Sequence, residues 1–328
     1  LQIRETEIRK VGRHRIEGQS TYHSQCWGSE GLQDYTVHFV IEFERPIKAF
    51  GVWHDDKVES GTSRLQTKAV GDAGAYAEFD TRNHPVVQAR VGISLVSIEN
   101  AALNLKTEVT DRFDWSFDAI RSDHVQAWND LLGRIEIQTP DRREKVRFYN
   151  NLYRSFCRNT WSDVNGQWVD GTERVRQLPE GDLALGCDAF WNTFWNLNQL
   201  WNLVAPEWSS LWVRSQLAMF DSQGWLAKGP AGMEYVPVMV DEHEIHLIVG
   251  AYQMGVRDFD SEKAFDADRK MQTTPAKRIG GCMAGNRDLK AYLEHKYVPY
   301  DKGRFSNSLE YAYDDWTVAQ FALALGKN

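Results

Sequence analysis

Tyr35-Thr36-Val37-His38-Phe39-Val40-Ile41-Glu42-Phe43 sets Tyr35, Val37, Phe39, Ile41 and Phe43 against Thr36, His38, Val40 and Glu42. Successive side chains of a strand point to opposite faces, so this period of two predicts a half-buried strand. The alternation returns at Val87, Ala89, Val91, Ile93 and Leu95. Ile47–Trp53 and Ala75–Phe79 are shorter β-like runs, set off by the turn-forming stretches Glu59-Ser60-Gly61 and Gly71-Asp72-Ala73-Gly74. The first ~100 residues therefore read as antiparallel β, in the form of a sandwich.

After Asn100 the texture changes to Ala, Leu and Glu, and Phe117 to Leu132 carries apolar residues at three- and four-residue spacing. That is a helical connector. Beyond Pro140 the same reasoning predicts helices near 143–158, 189–204, 207–221, 241–254, 286–295 and 308–325. In the last of these Asn307 is placed to cap, Glu310 stands three residues on as in a capping box, and Leu309, Tyr313, Trp316 and Leu323 share roughly one face.

The chain has 328 residues, a length that suits about two domains with a core in each. Its net charge of −8 and the absence of a basic block argue against phosphate-backbone binding, so no nucleic-acid partner is expected. No apolar run approaches the ~18 residues of a membrane span. Trp, at 13, outnumbers Pro at 9, and its broad rings suit sugar faces as well as cores. Cys26, Cys157, Cys187 and Cys282 form no Cys-x-x-Cys pair, which leaves the redox compartment open. There is no Gly-rich phosphate loop and no Gly-x-Ser-x-Gly elbow.

Three segments concentrate chemistry. Met233-Glu234-Tyr235-Val236-Pro237-Val238-Met239-Val240 sets one carboxylate among apolar neighbours, where desolvation would raise its pKa towards that of a general acid; the alternative is a surface Glu beside an apolar loop. Asp241-Glu242-His243-Glu244-Ile245-His246 packs three acids and two histidines together. Capping by Asp241 and Glu244 explains the acids, while His243 and His246, at i and i+3, could hold a metal or line a pocket. In Cys187-Asp188-Ala189-Phe190-Trp191-Asn192-Thr193-Phe194-Trp195 a helix would put Phe190, Phe194, Leu197 and Trp201 on one face and Trp191 and Trp195 on another. Such a helix is either buried all round or lines a sugar site with Asp188 and Asn192. In the 308–325 helix the adjacent Asp314 and Asp315 point in different directions, one to a helix contact and the other to solvent.

Several segments together, in order and spacing, resemble glycoside hydrolase family 92, the calcium-dependent exo-α-mannosidases. They are Val91 to Ser97 with Asn104-Leu105, Phe148 to Arg154, Trp191 to Phe194, Gly224-Trp225-Leu226, Met239-Val240 with His243, Ala251-Tyr252, and Leu309 to Trp316. The resemblance implies an α+β multidomain fold: a β-sandwich over 1–104, a helical linker over 105–138, and over 139–328 about the first half of an (α/α)6 barrel, with sugar bound between the domains. It implies release of terminal α-linked mannose from glycans by an inverting, calcium-assisted acid/base mechanism in an extracytoplasmic setting. Glu234, the carboxylate just before the Met239 stretch, is then the general acid, and Trp191, Asn192, Asp188 and His243 are substrate-binding. The family's calcium ligands and catalytic base lie in Gly-Asn-Glu-Pro and Gly-Asn-Asp-Asp motifs that do not occur here, so the chain is expected to be truncated at both ends, to hold no metal ligand and to be inactive alone. The usual Trp-Asp-Thr is Trp191-Asn192-Thr193 in this sequence, and the Arg that follows is Trp195. A non-catalytic carbohydrate-binding protein is the alternative reading, and a zinc hydrolase using His243 and His246 a weaker third.

Overall fold

A computed structural model of the chain describes residues 2–25, 32–186, 190–231, 234–235 and 241–327. They divide into two compact units, the first comprising Leu1–Ser24, Leu32–Ala127 and Ser162–Val169, the second Gln25–Gly31, Trp128–Trp161 and Asp170–Asn328.

The first unit carries eight strands: β1 (Gln2–Val11), β2 (Arg15–Gln25), β3 (Leu32–Phe43), β4 (Ala49–His54), β5 (Lys57–Ser60), β6 (Arg64–Thr67), β7 (Ala73–Glu78) and β8 (Ala89–Ser94). They form a five-stranded sheet in the order β6-β1-β2-β3-β8 and a three-stranded sheet β5-β4-β7. β3 and β8 run antiparallel with Phe39 opposite Ile93 and Ile41 opposite Val91. Ile8, Ile16, Phe50 and Val52 are buried between the two sheets, with Phe39, Ile41 and Phe43 packed against them. This is the face that the period-two pattern predicts. The opposite face of β3 is not left to water: Val40 is fully buried under helix α1 (Ile98–Leu105), against Ala101 and Leu105. Gly92 permits that close crossing, because a Cβ there would lie 2.2 Å from the Ala101 carbonyl oxygen.

Asp163 ties the returning segment into this unit. One carboxylate oxygen accepts from Ser94 Oγ and Asn100 Nδ2, each at 2.7 Å, and the other accepts from Asn104 Nδ2 at 2.7 Å. Asn104 Oδ1 in turn accepts the Val164 N–H at 3.0 Å. Removing the carboxylate strands these donors in a site where Asp163 is 5% exposed. Asp163→Ala is therefore expected to lower the stability of the β unit by about 3 kcal/mol, read as a shift of its urea midpoint with unchanged slope.

After a short helix α2 (Asp111–Phe113), helix α3 (Phe117–Leu132) runs into the second unit. There follow α4 (Arg142–Ser155), α5 (Leu197–Val204), α6 (Pro206–Gln223), α7 (Glu244–Gln253), α8 (Ser261–Thr273), α9 (Leu289–His295) and α10 (Asn307–Ala324), with short hairpins between them. Pro206 opens α6 at a position that needs no N–H, and Gly224 closes it in the left-handed region at φ 80°. Leu152, Phe156, Leu185, Phe190, Trp201, Trp212 and Leu247 make the core. Cys282 is buried and disulfide-bonded, while Cys157 is free and exposed. No helix among the described residues is long and apolar enough to cross a membrane.

Four helix expectations change. The helix predicted over 189–204 begins only at Leu197: Thr193 N–H and hydroxyl both close on the Phe190 carbonyl at 2.9 Å, and Asn192 sits in the left-handed region at φ 65°. Helix α8 escaped the apolar pattern because its buried positions are Ala264, Ala267, Asp268, Met271 and Gln272. The start of α10 is capped by Ser306 without a side-chain bond, and Asn307 instead donates to Asp288 at 2.7 Å. The side of α10 turned inward is Asn307, Tyr311, Asp314, Thr317 and Phe321, so Leu309, Trp316 and Leu323 are exposed.

Candidate active site

Helix α7 is buried on nearly all sides, from Glu244 through Val249. Its N-terminus therefore carries charged residues into the interior of the helical unit, and their partners fix what the site can do. His243 is the N-cap residue and makes no side-chain capping bond. The capping expected of Asp241 is not formed: its Oδ2 lies 2.6 Å from His243 Nε2. His243 Nδ1 accepts the Asn192 N–H at 2.9 Å, so the left-handed turn at Asn192 aims a backbone donor at the ring. Asn tolerates that conformation better than most residues.

Helix α10 supplies the facing side. Glu310 Oε2 lies 3.5 Å from His243 Nε2, and Asp314 Oδ1 lies 3.0 Å from His246 Nε2. Asp314 Oδ2 accepts from Gln272 Nε2 of α8 at 2.8 Å. Glu310, Asp314 and Thr317 follow at spacings of four and three, a polar stripe on a buried helix face. Lys228 Nζ meets Glu242 Oε1 at 2.9 Å, and both side chains are buried. Rings close the site: Phe194 stands 4.8 Å from both His243 and His246, His246 stacks on Tyr313 at 4.4 Å, and Tyr313 stacks on Trp316 at 5.9 Å.

Burial dominates the electrostatics. It raises the carboxyl groups of Asp314, Glu244 and Glu310, with Asp241 adding to the rise at Asp314 and Glu310, and Glu242 to that at Glu244. Burial acts the same way on Asp241, but contacts with Asp314 and His243 prevail and hold it below the usual carboxylate range. Burial lowers His246 to about 4, which keeps its ring neutral at neutral pH.

Of the residues singled out in the sequence, Asn192 and His243 meet directly. Trp191 is half exposed beside them at 52%. Glu234 pairs with Ala231 in a two-residue hairpin seven residues before Asp241, and its side chain lies outside the description; Asp188 lies outside the described residues. Asp314 turns inward and Asp315 outward, where it accepts from the Tyr292 hydroxyl at 2.8 Å. Sequence reasoning missed Glu310, Thr317, Gln272 and Lys228. The polar stripe on α10 was the visible signal for Glu310 and Thr317; Gln272 on α8 and Lys228 had none.

The Glycosyl hydrolase family 92 catalytic domain matches residues 100–328, and the N-terminal domain of the same family matches residues 2–94. The chain belongs to glycoside hydrolase family 92. A family 92 inverting mannosidase from Bacteroides thetaiotaomicron superposes with a TM-score of 0.83 at 24% identity, over 99% of this chain and 43% of that one. An α-mannosidase of the same family and organism, solved with mannoimidazole, gives a TM-score of 0.83 at 24% identity, over 99% of this chain and 41% of that one. An uncharacterized secreted glycosidase of Arthroderma benhamiae is 22% identical over 268 residues, 78% of this chain and 30% of that protein. The chain thus spans less than half the length of each of these relatives. An antiparallel β domain followed by a helical domain is the architecture that the family 92 structures share with it.

The calcium ion that the resemblance implies does not fit the residues present. Ca2+ takes about six to eight oxygen ligands. Among the described residues the metal-type cluster is Asp241, His243 and His246, in which two of the three donors are imidazoles.

Proposed function

We propose that the protein to which this chain belongs hydrolyses terminal α-linked mannose from glycans, with inversion at the anomeric carbon, and that Glu234 is its general acid. The observation that carries the reading is the match of the family 92 catalytic domain over residues 100–328. Two mannosidases among the structural relatives, one described as inverting and one solved with mannoimidazole, support the substrate class.

In this reading Glu234, on the hairpin leading into α7, donates its proton to the glycosidic oxygen as the bond breaks. Asn192 forms an edge for sugar hydroxyls, with Trp191 as an apolar wall, and His243, buried with its ring nitrogens turned to Asn192 and Asp241, serves the sugar by holding that edge in place. Asp188, just before that turn, is proposed as a further hydroxyl acceptor. The carboxylate base belongs to motifs that this sequence does not contain, so the chain by itself is proposed to be inactive. Calcium, by the same resemblance, is held by residues outside this chain. An extracytoplasmic setting is supported by the disulfide at Cys282 and by the relative described as secreted.

The test is to express the complete gene product and follow mannose release from α-mannosides by proton NMR, before and after chelation of calcium. The expected result is release of β-mannose as the first-formed anomer, abolished by the chelator. First-formed α-mannose would overturn inversion. A folded full-length protein that binds mannosides without releasing mannose would overturn hydrolysis and favour a carbohydrate-binding protein, with Asn192 and Trp195, which replace the family's Asp and Arg, as the cause.

A further inference from the structure

Thr317 bears on which ring nitrogen of His246 carries the hydrogen. A hydroxyl has one hydrogen, and that of Thr317 goes to the Tyr313 carbonyl oxygen at 2.9 Å, one helical turn back. Thr317 Oγ1 also lies 2.9 Å from His246 Nδ1, and with the hydroxyl hydrogen on the carbonyl, which can only accept, Nδ1 is the donor in that contact. The neutral ring then carries its hydrogen on Nδ1, and Nε2 presents a bare lone pair.

What Nε2 faces is another acceptor. Asp314 Oδ1 is 3.0 Å away, and the second oxygen of Asp314 is occupied by the Gln272 amide. Asp241 offers an oxygen within 4.8 Å of the ligand atoms of both His243 and His246, and it is in hydrogen-bonding range of Asp314. His246, Asp241 and Asp314 are 6%, 1% and 0% exposed, and no hydrogen bond reaches His246 Nε2 or Asp314 Oδ1 among the described residues, while Asp241 Oδ2 faces His243 Nε2 at 2.6 Å. Buried acceptors turned on one another without a donor need a cation or a proton between them. A separation of 3.0 Å is that of ligands about 90° apart on one ion with bonds of about 2.1 Å, and opening it to the roughly 3.4 Å of a tetrahedral pair takes only a small side-chain shift.

We propose that His246 Nε2, Asp314 Oδ1 and Asp241 bind a divalent transition-metal ion such as Zn2+. One imidazole nitrogen with two carboxylates suits Zn2+, Mn2+ or Co2+ and does not suit Ca2+. His243 does not coordinate the ion. Its Nδ1 accepts the Asn192 N–H, so its proton is on Nε2, facing Asp241 Oδ2 at 2.6 Å. It positions Asp241, as an outer partner of a metal-bound carboxylate does. Glu310, 3.5 Å from the same His243 nitrogen, stands where a fourth ligand, a third oxygen, can swing in. The site is distinct from the calcium implied for the family and does not depend on the mannosidase reading.

The experiment uses the untagged full chain, stripped with a chelator and dialysed, then titrated with Zn2+ by calorimetry and with Co2+ by visible absorption. One equivalent of Zn2+ is expected, together with Co2+ d–d bands whose intensity marks four or five ligands. His246→Gln and Asp314→Asn should each weaken Zn2+ binding by at least 100-fold, and His243→Gln by about 10- to 100-fold. Asp315→Asn, next in sequence but outside the site, should bind as wild type does. Failure of the wild-type chain to take up Zn2+, Mn2+ or Co2+ at tenfold excess would overturn the proposal and leave a proton shared by Asp314 with its neighbours. Unchanged uptake in His246→Gln would overturn it equally. Should a variant fail to fold, X-ray absorption of the zinc-loaded wild type still decides, because a shell of sulfur, or of oxygen without imidazole, excludes this ligand set.

Discussion

Glu234→Gln in the full-length protein is expected to lower kcat on mannosides with alkyl or sugar leaving groups by about 10^3-fold, with KM little changed. The amide keeps the size and polarity of the side chain and has no proton to give, so the loss falls on the step in which the leaving oxygen acquires charge. Two further readouts make the assignment specific. A nitrophenyl leaving group departs as a stable anion and needs little protonation, so its release should fall by less than about tenfold. The basic limb of the pH profile of kcat/KM, which reports deprotonation of the acid, should vanish in the variant. A loss equal for all leaving groups would assign Glu234 to binding or folding, and the acid would then have to be sought elsewhere. Among the inward-facing carboxyls, Glu310 is placed for that test, because burial raises it and it is still about one-third exposed.

The β half was legible because its governing pattern is local. Phe39, Ile41 and Phe43 alternate with smaller or polar residues, and the face they define is the one that meets the second sheet. Val40 shows where locality ends. It occupies a polar-side position and is fully buried, since α1 crosses that face over Gly92. The helical half was less legible for the same reason. Aromatic spacing at Phe190, Phe194, Leu197 and Trp201 imitates a helix face, but three hydrogen-bonding groups at Phe190, Thr193 and His243 hold Asn192 in a left-handed turn that no helix admits. In α10 the apolar residues Leu309, Trp316 and Leu323 lie outward, while Asn307, Asp314 and Thr317 turn inward beside Tyr311 and Phe321, so the two faces do not sort by polarity as those of an amphipathic surface helix do.

The candidate site follows the same division. His243 was legible from the family stretch, and the concentration of acids around it from composition alone. The partners that give those acids their chemistry were not: His246 and Thr317 are 71 residues apart, and Lys228 and Glu242 come from different loops. A polar residue at a buried helix position is visible in sequence only when the helix face is known, and on α10 the aromatic residues suggested the wrong face.

Trp212→Ala is expected to destabilise the helical unit by about 4 kcal/mol, and the reason bears on how the tryptophans are used. Trp212 is 1% exposed, stacked on Trp201 at 6.2 Å and 10°, and met edge-on by Phe190 at 5.1 Å. Removing the indole leaves a void between rigid rings that cannot collapse without moving α5 against α6. No described residue bonds the Trp212 indole N–H, so Trp212→Phe loses packing alone and should cost about 1–2 kcal/mol. Urea unfolding of the full chain followed at 222 nm reads the helical transition, and equal losses in the two variants would contradict the packing account. Trp195→Ala serves as the opposite case. At 72% exposed it should shift stability by less than about 0.5 kcal/mol. Seven of the 13 tryptophans fall at two extremes. Trp168, Trp201, Trp212 and Trp225 are structural, whereas Trp191, Trp195 and Trp316 keep their rings in solvent, and a loss of mannoside affinity without loss of stability in variants of the second group would mark them as the sugar-facing set.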